Sequence, residues 1–193
     1  MEYKLYNLEL DEDNLGVTAI SFVDHPATES NFFYFNKNFQ NFSIQNEEKR
    51  EVLGVVMLAD VPIYRKDKER GEFYVQFSKE EIKKIVQKFA KDKILDKVTL
   101  DHNYETGGVY MFESYIVDPE IGINAPTGLE VTPGTWIGRF KVENEEVWQA
   151  IKSGKFKGFS IEGKFSMKST TKDEQKELNE LVSELYDLLK SVK

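Results

Sequence analysis

The sequence predicts an α+β fold that is mainly β: a closed or barrel-like sheet flanked by about three helices. Three observations lead there. Alternating and β-branched segments dominate the first 77 residues. Apolar residues at helical spacing appear in three places, each opened by a capping residue: Ser78, Asn144 and Thr171. Strand-like segments continue between those helices, and so many short strands are best protected by closing on themselves.

Residues 3–10 alternate and residues 16–23 are β-branched and apolar, so both read as strands. Residues 31–42 are rich in Phe and Asn. Phe32, Phe33, Phe35, Phe39 and Phe42 read first as core wall and second as a peptide-binding groove. Residues 52–59 form a buried strand. Pro62 and the charged run 65–70 make a polar hairpin tip, and 72–77 is the returning strand.

Ser78 and Glu81 have capping-box spacing ahead of Ile82, Ile85, Val86 and Phe89, which share a helical face. Residues 98–100 are a short strand ending at His102, and 109–117 a longer one. Residues 118–134 hold three prolines and three glycines and read as a long loop of functional type. After a strand at 135–142, Asn144 caps a short helix that Gly154 stops. Residues 159–167 read as one strand. Thr171 and Glu174 repeat the capping box, and Leu178, Leu181, Val182, Leu185, Leu189 and Val192 make an apolar stripe. The expected organisation is a β-rich body over residues 1–170. A helix over 171–193 packs on it or pairs with its twin in a dimer.

The chain has 193 residues, 40% apolar and 31% charged, with a formal net charge of −8. That charge argues against a nucleic-acid-binding face. No cysteine is present, which excludes disulfides, a thiol nucleophile and Cys-based zinc sites. The N-terminus lacks signal-peptide character, and the longest apolar run, 52–59, is too short to span a membrane. The expectation is a soluble cytosolic protein with no membrane partner; an intracellular virus assembly site fits equally.

Chemistry concentrates in two stretches. GKFKGFSIEG (154–163) puts Ser160 after a glycine turn, facing away from Phe159 and Ile161. Gly158 and Gly163 leave room for another backbone, such as a substrate. VTLDHN (98–103) puts His102 at a strand end. It shares the face of Val98 and Leu100 if the strand runs on to it. A serine on a turn and a buried histidine are the ordinary readings; nucleophile and general base are the functional one. A metal site on Asp101, His102 and Asn103 is weaker, because no second histidine stands at ligand spacing. A base also needs a group to hold its tautomer. Asp24, His25 and Glu162 are the candidates. A surface role suits Glu162 better.

The segment VWQAIKSGKFKGFSI (147–161), with its helix, glycine and Gly-apolar-Ser-Ile order, resembles the nucleophile segment of tailed-phage prohead proteases. Together with ISFVD (20–24) and GTWIG (134–138), it makes the chain look like the XkdF-type phage serine proteases up to about residue 165. The resemblance implies a capsid maturation protease of the herpesvirus-assemblin-like class, a β-barrel surrounded by helices. It implies Ser160 as nucleophile, His102 as base, and a third member that is either histidine or acidic. In many prohead proteases a segment like SFVDHPA (21–27) follows the nucleophile; here it precedes everything. A circular permutation would put that strand in the same place. The position matching the usual glutamate is Ala19 here. Asp24 is therefore the first choice for the third member and His25 the second. A Ser–His dyad, or activation by dimerisation, follows if neither reaches His102.

The expected activity is serine endopeptidase cleavage of phage scaffold and major capsid proteins, and of the chain itself, without cofactor. The expected setting is the bacterial host cytoplasm, inside the assembling prohead. The alternatives are a non-catalytic virion assembly or scaffold-binding protein, and a hydrolase of non-protein esters.

Overall fold

In the computed structural model, residues 3–10, 16–24, 42–46, 49–127 and 129–191 are described; for 42–46, 186 and 189 this means the backbone alone. His25 and the phenylalanines at 32, 33, 35 and 39 lie outside them.

The described strands form three four-stranded sheets. The first joins β1 (Lys4–Glu9), β6 (Gly71–Gln76), β5 (Ile63–Asp67) and β12 (Ser166–Ser169) in the order β12-β1-β6-β5. The second joins β3 (Phe42–Asn46), β4 (Glu51–Met57), β9 (Val109–Ile116) and β10 (Trp136–Val142) as β3-β4-β10-β9. The third joins β2 (Gly16–Val23), β7 (Val98–Leu100), β8 (Tyr104–Glu105) and β11 (Gly158–Lys164) as β11-β2-β7-β8. With three helices, α1 (Lys79–Asp92), α2 (Glu145–Lys152) and α3 (Lys172–Ser191), the class is α+β and mainly β, as expected. No ladder among the described residues joins the three sheets into a closed barrel. The sheets meet instead through side chains. Phe22, Val56, Phe77, Phe89, Trp136, Phe140 and Phe159 share one core across strands and helices.

The helix starts follow the caps. The Ser78 hydroxyl accepts the Glu81 amide, and Asn144 Oδ1 accepts the amides of Glu146 and Val147. At Thr171 the capping box is complete: Glu174 accepts the Thr171 amide at 2.7 Å and its own amide donates to the Thr171 hydroxyl. At α1 the box is half made, because the buried Glu81 carboxylate caps the Leu10 amide at 2.7 Å. That bond ties the helix to the end of β1.

Three differences from the sequence reading bear on the site. The segment 159–167 is two strands, not one. The chain breaks at Phe165, whose ring packs edge-on against Phe77, and β12 crosses to the first sheet beside β1. A short strand not expected, β8, folds back on β7. The loop 118–134 contains a 3-10 turn (Pro119–Ile121) and is anchored by Thr132, which donates to the Ala59 carbonyl at 2.7 Å. Away from the site, α3 lays Leu178 and Val182 against Leu5 and Tyr74 on the body and leaves Leu181 and Leu188 exposed.

Candidate active site

Strands β11, β2 and β7 lie side by side, antiparallel then parallel. Their register is held on the core face, where Phe22, Phe140 and Phe159 stack within 4.5–5.3 Å of one another. Alternation then fixes the other face. Ser160 stands directly opposite Ser21, and Ser21 beside Thr99, so three hydroxyls form one row across three strands. Directly opposed residues of such a ladder have Cβ atoms about 5 Å apart. Ser160 is 8% exposed, and its hydroxyl makes no hydrogen bond to a described residue.

His102 reaches this row by a turn, which corrects the expectation that the strand carries it. β7 stops at Leu100. Asp101 and His102 both take left-handed backbone conformations, with φ of 47° and 58°. The Asn103 amide closes the turn on the Leu100 carbonyl at 3.0 Å. Two successive positive φ values are the signature of a tight β-hairpin turn, and Asp, His and Asn are the non-glycine residues that tolerate them best. The turn rotates His102 away from the face of Val98 and Leu100. Its amide donates to the Ser21 hydroxyl at 2.9 Å, and its Nδ1 lies 3.2 Å from Glu162 Oε1.

Glu162 sits two residues beyond Ser160 on the same face. Its Oε1 also accepts the Thr99 hydroxyl. A carboxylate at Nδ1 favours the tautomer with its proton on that nitrogen, in which Nε2 is the nitrogen able to accept one. A β-bulge between Glu162 and Gly163 re-aims the strand at this point. The room left by Gly163 is not for substrate: a Cβ there would stand 2.3 Å from the Gly16 carbonyl oxygen, so the approaching backbone is the chain's own.

The Asp24 carboxylate is engaged elsewhere. It pairs with Lys157 at 2.7 Å, and the Asp24 amide donates to Asp101 Oδ1 at 3.3 Å, tying the end of β2 to the turn. His25 lies outside the described residues. The structure thus gives the His102 ring to Glu162, the residue sequence reasoning ranked last. The available signal was its i+2 spacing from Ser160 on one strand face.

A hydroxyl, an imidazole and a carboxylate at its Nδ1, all on one sheet face, are the parts needed for acyl transfer. The family model described as "Putative phage serine protease XkdF" matches residues 39–168. The chain belongs to this family. The XkdF match takes in His102, Ser160 and Glu162 and leaves Ser21 and Asp24 before its start. Among curated relatives, the "Phage-like element PBSX protein XkdF" of Bacillus subtilis (strain 168) is 27% identical over 159 residues, 78% of this chain and 53% of that protein. "Uncharacterized protein YqbD" of the same organism is 28% identical over 189 residues, 92% of this chain and 53% of that protein. The chain therefore spans about half the length of the curated relatives it matches. No solved structure matches.

Proposed function

We propose that this chain is a serine endopeptidase of phage capsid maturation, cleaving scaffold and capsid proteins within the assembling prohead. The observation that carries the reading is the His102–Glu162 pair on the face of Ser160. In the proposed mechanism, His102 Nε2 takes the proton from Ser160 Oγ as that oxygen bonds to the scissile carbonyl carbon. Glu162 holds the ring and stabilises the imidazolium. The imidazolium then protonates the leaving amine as the C–N bond breaks, and water hydrolyses the acyl-enzyme by the same steps. Turn amides near Gly158 or on the loop 118–134 are the proposed oxyanion donors.

Glu162 also accounts for the departure at Ala19, where the family resemblance would place a glutamate. Ala19 is the cross-strand partner of Glu162. The carboxylate stands at the same level of the sheet, supplied by the neighbouring strand. Together with β2 lying beside β11, this supports a permuted relative of the prohead proteases.

The test is labelling by an alkyl fluorophosphonate, with the modified residue mapped by mass spectrometry. Labelling at Ser160, lost in Ser160→Ala together with processing of co-expressed capsid protein, is the expected result. Processing that persists in Ser160→Ala overturns the assignment.

A further inference from the structure

Ser160 also lines a cavity of about 190 Å³. The consecutive residues Phe159, Ser160 and Ile161 all touch it, although they alternate between two faces. No residue of β2 does. The cavity therefore lies along the edge of β11 turned away from β2, where Val56 and Met57 of β4 help to wall it. Its walls are apolar, with Met57, Leu58, Ile63, Phe77 and Phe165 among them, and Arg65 brings one charge. Ile63 and Arg65 share a face of β5, which aims both inward. The volume lies below the range of drug-sized pockets and suits a single side chain.

Arg65 is the unexplained part. The residue is half-buried, and its guanidinium donates to the Tyr64 carbonyl at 2.9 Å. No carboxylate among the described residues pairs with it. Burial without a counter-charge holds its pKa below the ordinary arginine value. Removing a charge from water without a partner is costly, and an arginine fork fits a carboxylate in two parallel bonds.

We infer that this cavity is the substrate side-chain subsite beside Ser160, and that it takes an acidic residue, glutamate above all. Methylenes pack on the apolar walls and the carboxylate meets Arg65. The inference rests on Ser160 being the nucleophile. It assigns the subsite to the residue whose carbonyl Ser160 attacks.

The test uses peptidyl diphenyl phosphonates that differ only in the side chain next to phosphorus: Glu, Gln or Lys. Ser160 Oγ bonds to phosphorus and phenoxide leaves, taking the serine proton by way of His102. Each rate is divided by the same protein's rate with an alkyl fluorophosphonate, which has no such side chain. In the unaltered chain the Glu probe reacts about tenfold to a hundredfold faster than its Gln isostere, because only the carboxylate makes the charged bond. In R65Q that ratio falls to about one, and in R65E the Lys probe overtakes Glu. Fluorophosphonate labelling of Ser160 with equal Glu and Gln rates overturns this inference alone. Arg65 would then be a stem packed over the core edge. No labelling of Ser160 by either reagent overturns the nucleophile and its subsite together. The comparison in the unaltered chain needs no variant to fold.

Discussion

The Ser21 hydroxyl holds the His102 amide at 2.9 Å while standing directly opposite Ser160 across the β2–β11 ladder. One buried serine thus fixes where the imidazole sits relative to the proposed nucleophile.

Ser21→Ala is therefore expected to slow fluorophosphonate labelling of Ser160 by about tenfold and to cost about 1–3 kcal/mol of stability, because it leaves a turn amide unpaired. Urea unfolding and labelling rates measure the two effects separately. A change in stability with an unchanged labelling rate would show that the bond supports only the fold.

Glu162→Gln keeps the size of the side chain but removes the charge behind Nδ1. Labelling and peptide hydrolysis should fall by up to about four orders of magnitude, the loss seen when a triad carboxylate is replaced by its amide. Asp24→Asn, which removes the charge facing Lys157, should change either rate by less than about threefold. Equal losses in the two variants would return the third position to Asp24.

Gly163→Ala forces a Cβ to within 2.3 Å of the Gly16 carbonyl. Backbone meets backbone there, so the bulge has to open. The expected cost is about 1–3 kcal/mol with a loss of labelling, since the bulge aims Glu162. Thermal unfolding of the variant, read beside its labelling rate, checks both.

The docking of α3 should weaken in acid. Burial alone pushes the Glu174 carboxyl up, but bonds from the Thr171 amide, Asn7, the Thr171 hydroxyl and Gln76 outweigh it and hold its pKa below 4.5. A carboxylate depressed on folding contributes stability above its unfolded value, and that contribution is lost as pH falls through the folded value. Urea midpoints should thus drop below about pH 4.5 in the unaltered chain and drop less in Glu174→Gln.

How much of this was legible in the sequence depended on how local each signal is. Caps at Ser78, Asn144 and Thr171 were readable because the side chain bonds amides two or three residues away. Strand β2 was readable from its β-branched run. The placing of His102 is not legible from alternation, which runs through Leu100 only to be reversed by the turn triplet Asp101-His102-Asn103. The Glu162 pairing was ranked low because it depends on the register of β11, β2 and β7, and β2 lies far from both partners in sequence. The choice between a closed barrel and three sheets rests on long-range pairing that no local pattern encodes.

The β2–β11 ladder also sets an order of events. During synthesis the turn bearing His102 and the hydroxyl beneath it are made well before the strand carrying Ser160. Until Gly158–Lys164 zips onto β2, neither Ser160 nor Glu162 stands on the face where that turn ends. Closing so long a loop is among the later steps of folding. The row that sets Ser160 beside Ser21 and Thr99 is thus assembled only by completion of the fold, and a half-made chain carries its histidine turn without it.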